Sequence, residues 1–238
     1  MCGRYVTSSS VAELAEKLDI DDVRAEEEDA NYNVTPRSEV PIVAVSEERG
    51  RVLDRVRWGL VPSWAENLKI GDKLINARAE TIRKTPAYRH AFAKRRCLIP
   101  ADGFYEWKRD PAHKTKQPYF IHPAAGATHS AAGAAPFAFA GVYATWRDKS
   151  VDDAPWIRSC AIVTTGANAS MAAIHNRMPV LLEPSDFDAW LDPTNADHDA
   201  LEALLVPAPA NEIDLYPIRS LVNKPANNFK ELLEPVPV

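Results

Sequence analysis

Arg96-Cys97-Leu98-Ile99-Pro100-Ala101-Asp102-Gly103-Phe104-Tyr105-Glu106-Trp107 decides the fold. Cys97–Pro100 and Gly103–Trp107 read as two strands around Ala101-Asp102-Gly103. Both are short, apolar and bounded by turn residues. The second sets Glu106 between two aromatics, either at a sheet surface or in a partly apolar site. Outward from this stretch the chain repeats the pattern. Arg4-Tyr5-Val6, Val40–Val45, Phe137–Trp146, Ser159–Thr165 and Leu215–Leu221 all read as strands. Arg49-Gly50 is a hairpin turn feeding a further strand that carries Val52, Val56 and Trp58. Helices are few. Ser10-Val11-Ala12-Glu13 is a capping box opening a helix over 10–18. Thr85-Pro86 starts a second helix, which runs to Ala93 and ends in Lys94-Arg95-Arg96. Asn168–Ile174 is a short helix, and Ser185–Leu191 and Asp197–Leu205 are surface helices. Many short strands with few helices define an α+β fold with a largely antiparallel, curved or barrel-like sheet core and peripheral helices.

The 238 residues form one domain spanning 1–238, with a flexible Ala/Gly-rich loop at 124–135. Hydrophobic content of 46% with 26% charged is that of a soluble globular protein. No apolar run approaches the ~18–20 residues a bilayer span requires. Neither a secretory leader nor a metal-binding spacing is present. The cysteines are Cys2, Cys97 and Cys160, sparse and odd in number, as suits a reducing cytoplasm. A net charge of −5 argues against a surface-wide nucleic-acid coat but leaves room for a local basic groove. Asp21 to Asp29 reads as a solvated acidic loop. Asn31–Pro36 is loop chemistry, and the tail from Leu232 is proline-rich and loosely held. Arg51, Arg55 and Arg57 share a strand face, either a solvated edge or a phosphate-facing ridge. Extended geometry would place Asn76, Arg78 and Glu80 together.

Met1-Cys2-Gly3-Arg4 carries unusual chemistry. Removal of Met1 leaves one residue with both an α-amine and a thiol. Their ordinary pKa values are about 7.7–8.0 and about 8.5. Such a 1,2-aminothiol can act as an N-terminal nucleophile. It can also condense with an aldehyde to an imine and close a thiazolidine. Trp58-Gly59-Leu60-Val61-Pro62-Ser63-Trp64 holds two tryptophans around a Gly/Pro loop, suited to the core or to stacking on unpaired bases. His175 lies between a helix end and a strand start, where structural and catalytic roles are both open. No nucleotide-binding glycine motif, zinc-protease motif or hydrolase elbow occurs.

Six stretches together resemble the SOS-response-associated peptidase family, which includes the animal 5-hydroxymethylcytosine-binding proteins. They are Met1–Arg4, Tyr32–Pro36, Trp58–Trp64, Asn76–Thr81, Arg96–Trp107 and His175–Pro179. Each is unspecific alone; in this order across the chain they are specific. Asn176 stands where the family commonly has aspartate. The resemblance implies binding of single-stranded DNA and a covalent crosslink to abasic sites through Cys2, with self-processing of Met1 and lyase-like activity. It implies catalytic roles for Cys2, Asn76, Glu106 and His175. Arg4, Arg78 and Arg177 are implied as phosphate contacts, and Pro36 and Trp64 as packing against bases. No cofactor or metal is implied. The expected state is a monomer in the cytoplasm, nucleoid-associated in a bacterium. Rival readings are an N-terminal-nucleophile cysteine amidohydrolase, a non-covalent reader of modified cytosine, and a thiol peptidase built from Cys2, His175 and Glu106.

Overall fold

The computed structural model describes residues 2–109, 111, 115–128 and 136–236. Its strands are β1 (Tyr5–Thr7), β2 (Asp22–Val23), β3 (Asn31–Val34), β4 (Glu39–Ser46), β5 (Gly50–Trp58), β6 (Asn76–Arg78), β7 (Arg96–Ala101), β8 (Gly103–Lys108), β9 (Gln117–Pro123), β10 (Phe137–Trp146), β11 (Ile157–Gly166), β12 (Arg177–Pro179) and β13 (Ile213–Pro217). The α-helices are α1 (Val11–Lys17), α2 (Arg89–Lys94), α3 (Ala169–Ala172), α4 (Phe187–Leu191) and α5 (His198–Ala203).

Five strands close on themselves in the order β11-β10-β7-β4-β5. The seam is a parallel β5–β11 pairing, Arg57 opposite Ser159 and Trp58 opposite Cys160. Closure removes the exposed edges that an open sheet would carry. A second sheet runs β13-β9-β8-β1-β3. The decisive stretch of sequence joins the two. β7 lies in the barrel, β8 in the second sheet, and the single residue Asp102 turns the corner. Its N–H donates to the Val6 carbonyl at 2.9 Å, and its carboxylate accepts the Ser9 N–H at 2.9 Å. The fold is α+β with a closed barrel, as the strand pattern implies.

Strand alternation sorts the core into two layers. Val43, Leu53, Leu98, Ala140 and Val163 pack with Leu14 of α1, Phe92 of α2, Trp190 of α4 and Leu201 of α5. The helices therefore cover the barrel's outer face. The alternate residues, Ile42, Val56, Trp58, Cys97, Ile99, Phe139 and Cys160, fill its interior. Tyr5 of β1, Phe104 of β8 and Ile121 of β9 join that interior cluster, and so does Cys2.

Several local readings need correction. Asn31–Val34 is a strand, pairing Val34 with Tyr5, rather than a loop. The loop-forming asparagines are used as side chains: Asn33 Nδ2 donates to the carbonyls of Lys224 and Asn227 at 3.1 and 2.8 Å. Gln117–Pro123, unassigned from sequence, is a central strand between β13 and β8. The helix after Thr85-Pro86 begins only at Arg89, and Arg96 belongs to β7. Only Asn76–Arg78 is extended; Ala79–Thr81 is a 3₁₀ turn, so alternation does not align Glu80 with the other two. The acidic run contributes Asp22–Val23 as a short parallel strand on β5. The tail is tied down, with Leu232 buried and Val236 N–H donating to the Pro217 carbonyl at 3.0 Å. The surface helices bury a full face, including Trp190. Of the Ala/Gly stretch, 129–135 lies outside the described residues. The Ser10/Glu13 capping box forms as the sequence dictates.

Candidate functional site

Cys2 is fully buried among Tyr5, Trp58 and Phe104. Its carbonyl accepts a 2.8 Å hydrogen bond from Asn76 Nδ2. Asn76 is placed by β6, whose parallel pairing with β11 sets it opposite Ile162. The Tyr88 hydroxyl donates to the Asn76 carbonyl at 2.9 Å and fixes that strand from behind. Among the described residues Asn76 Oδ1 is buried without a partner, so this amide retains an acceptor. Burial drives the Cys2 thiol far above its ordinary value, and the nearby Glu106 carboxylate adds to the rise. The N-terminal charge and, to a smaller extent, the Arg4 main-chain N–H offset this in part. The thiol is thus held neutral, and Glu106 is close enough to be felt by it.

Glu106 reaches this position by alternation along β8. Phe104 faces the Cys2 cluster while Tyr105 faces a separate cluster with Val6 and Phe120. Glu106, two residues after Phe104, shares the Cys2 side and is buried. Tyr119 of β9 stands opposite it in the ladder.

His175 precedes β12, which pairs with the last residues of β11. β6 and β12 therefore flank the same end of β11. The Arg177 N–H donates to His175 Nδ1 at 3.0 Å. In the neutral ring the proton is then on Nε2.

The arginines divide into two kinds. Arg177 is engaged: it grips Glu80 at 2.5 and 3.0 Å and donates to the Thr164 carbonyl at 2.6 Å. That pair holds the Glu80 carboxyl below the usual carboxylate range. Arg4 is half-buried, and its Nη1 donates to Asn33 Oδ1 at 2.6 Å and to the Val222 carbonyl at 2.8 Å. Its guanidinium also lies 6.0 Å from the Trp107 ring. Arg78 is exposed and has no hydrogen bond or ion pair among the described residues. The Arg51, Arg55 and Arg57 face is not a solvated edge: β5 pairs with β4, β2 and β11, and Asp188, Glu28 and Asp72 hold these largely covered arginines at 2.6, 2.5 and 2.7 Å.

The two tryptophans of the Gly/Pro loop separate. Trp58 is buried and donates to the Ile75 carbonyl at 3.0 Å. Trp64 is 56% exposed. The loop turns tightly because Gly59, at φ +123°, approaches Gly71; a Cβ there would lie 2.6 Å from the Gly71 carbonyl oxygen. Pro36 sits in the turn before β4, half-exposed, beside Arg37.

The structure thus gathers Cys2, Asn76 and Glu106 directly. His175, Arg78 and Arg177 lie along the β6–β11–β12 edge, with Trp64 and Pro36 at the surface. Tyr88 and Tyr119 were missed. Tyr119 stands in a strand the sequence did not reveal, and nothing local in the sequence marks Tyr88. Among the described residues no group of three or more His, Cys, Asp or Glu side chains could hold a metal ion. No helix among them is long and apolar enough to cross a membrane.

The barrel thus buries Cys2, holds its carbonyl through Asn76 and sets the Glu106 carboxylate near its thiol. The family model described as SOS response associated peptidase (SRAP) matches residues 1–225. The chain belongs to the SRAP family. It is 41% identical to the abasic site processing protein YoqW of Bacillus subtilis, covering 98% of this chain and 99% of that one. It is 29% identical to the abasic site processing protein HMCES of Gallus gallus, covering 99% of this chain and 78% of that one. Among solved structures it is similar to a protein from Bacteroides thetaiotaomicron, with a TM-score of 0.83 and 25% identity over 99% of this chain and 100% of that one.

Proposed function

We propose that this protein binds single-stranded DNA and crosslinks covalently to abasic sites through Cys2 once Met1 is removed. The reading rests chiefly on one arrangement: Asn76 Nδ2 holding the Cys2 carbonyl at 2.8 Å, with Glu106 beside the thiol. The relatives' names, which concern abasic site processing, support the same reaction class.

The chemistry follows from the neutral thiol. The free α-amine attacks the aldehyde of the ring-opened sugar, and loss of water gives a protonated imine. The thiol sulfur then adds to the imine carbon, and its proton leaves through a neighbouring base. The product is a thiazolidine with a secondary amine. Ring closure is intramolecular, so fixing the Cys2 backbone supplies much of the rate. Glu106 is the proton shuttle beside amine and thiol. His175 Nε2–H serves the sugar oxygen during ring opening and reversal. Arg78, exposed and unpaired among the described residues, is the phosphate contact best placed to bind; Arg4 and Arg177, already engaged by protein groups, are secondary phosphate contacts. Trp64 offers a ring for an unpaired base, with Pro36 as a second apolar contact. The same imine chemistry gives a lyase-like route to strand release, and Met1 removal is the self-processing step.

The test is intact mass and a denaturing gel after mixing with single-stranded abasic DNA. The protein should gain the mass of the strand minus one water and should lack Met1. Cys97→Ser and Cys160→Ser should crosslink normally; Cys2→Ala should give no stable adduct. A stable adduct from Cys2→Ala would rule out the thiazolidine. Glutamine hydrolysis by the wild type without any DNA adduct would favour the amidohydrolase reading instead.

A further inference from the structure

A wide groove lies where the ends of β8 and β9 meet the segment after β13. Lys108, Arg109, Lys116 and Arg219 line it, and among the described residues no carboxylate does. Among the described residues none of these four cations pairs with a carboxylate. By contrast Arg51, Arg55, Arg57, Arg83, Arg158 and Arg177 each hold one. In a chain of net charge −5, four cations left together without counter-charges mark a place that receives an anion from outside.

The groove is continuous with the Cys2 site. Lys108 lies two residues beyond Glu106 on the same strand, hence on the same face and about 7 Å away. Tyr119 stands opposite Glu106 in the ladder, packs against the Cys2 cluster and lines the groove. On the far wall, Arg4 donates to the Val222 carbonyl, between the groove residues Leu221 and Asn223. Trp107 donates to Asn223 Oδ1 at 2.7 Å. A chain leaving the Cys2 site past Tyr119 enters the groove directly.

We infer that this groove is a second anion-binding track, holding the phosphodiester backbone of the DNA strand that flanks the nucleotide reacting at Cys2. The inference rests on the reading of Cys2 as the abasic-site nucleophile and extends it to residues that touch no reacting atom. The groove contributes length-dependent affinity and no chemistry.

The experiment measures binding of undamaged single strands of about 5 and about 20 nucleotides by fluorescence anisotropy across a salt series. Wild type is compared with Lys108→Gln/Lys116→Gln/Arg219→Gln. Loss of three phosphate contacts should flatten the slope of log K against log salt by about 2 for the long strand. Affinity for the long strand should fall about 10–100-fold at low salt, with little change for the short one. The crosslinking rate with a short abasic strand should match wild type. Should the triple variant melt early, Arg219→Gln alone, at an exposed position, should still flatten the slope by about 0.7. Wild-type slope and long-strand affinity in the variants would overturn the groove. The Cys2 reading fails separately, by absence of any adduct from the wild type, while the anisotropy series still reports on the groove.

Discussion

At the scale of single residues, the proposed function makes Glu106 and His175 both acid/base groups that serve different protons. Glu106 shares the interior face with Cys2, whereas His175 stands across β11 with its Nδ1 engaged by the Arg177 N–H. Glu106→Gln should chiefly slow crosslink formation. His175→Ala should slow sugar opening and crosslink reversal. A general acid or base typically supplies ~10²–10⁴-fold, and the aminothiol's own reactivity towards aldehydes should leave residual activity in both. Rates of formation, and of release to a competing abasic strand, measured across pH, separate the two. Unchanged rates and pH dependence in His175→Ala would leave that histidine a structural role. Sequence motifs pointed to Cys2, Asn76 and Glu106, which the fold does bring together. They could not assign the arginines, because whether a guanidinium is free depends on partners distant in the chain. Glu80 meets Arg177 and Val222 meets Arg4 only after folding.

At the scale of elements, alternation exposed most of the strands and failed where side chains served another purpose. β9 was hidden by Pro118, Pro123 and His122, which argue against a strand when read locally. It forms because both neighbours pair with it. β3 reads as a loop because asparagine favours turns, yet it forms a strand in which the Asn33 side chain bonds the distant Lys224 and Asn227 carbonyls. Arg96 shows the same effect in reverse. It reads as the end of a basic helix, yet it is buried in β7. From there Nη1 donates to the Phe92 carbonyl at 2.7 Å and Nε to the Trp190 carbonyl at 2.6 Å, with further bonds to Ala93 and Asp192. One guanidinium thus satisfies the C-terminal carbonyls of both α2 and α4. Burial lowers its pKa, an effect that the nearby Asp192 charge opposes. Arg96→Lys keeps the charge but loses the planar fork. It should cost about 3 kcal/mol in urea denaturation, since several buried carbonyls lose their donor. A cost below about 0.5 kcal/mol, the range of ordinary surface changes, would mean that water replaces the guanidinium.

At the scale of the whole molecule, the three thiols make stability depend on alkaline pH. Cys2, Cys97 and Cys160 are all fully buried, and burial raises each above its ordinary value. In the unfolded chain each ionises near pH 8.5. Above that pH the unfolded state releases protons that the folded state retains. Stability is therefore fully present below about pH 8.5 and declines as pH rises toward the folded values. Each thiol contributes up to about 1.4 kcal/mol per pH unit in that window. Between pH 8 and 9.5 the loss should be on the order of 2–4 kcal/mol in urea denaturation. Replacing Cys97 and Cys160 by alanine should lower stability at every pH while removing about two-thirds of the slope. An unchanged slope would assign the effect to other groups. The barrel seam acts on a different axis, time. Its two halves, Trp58 and Cys160, lie about a hundred residues apart, which at 5–20 residues per second separates their synthesis by about 5–20 s. Such long-range pairing is slow to form. Throughout that interval the nascent chain has an open seam, and Cys2, made before either half, has no finished barrel to shelter it. Any chaperone that attends this protein on the ribosome has its task defined by that wait.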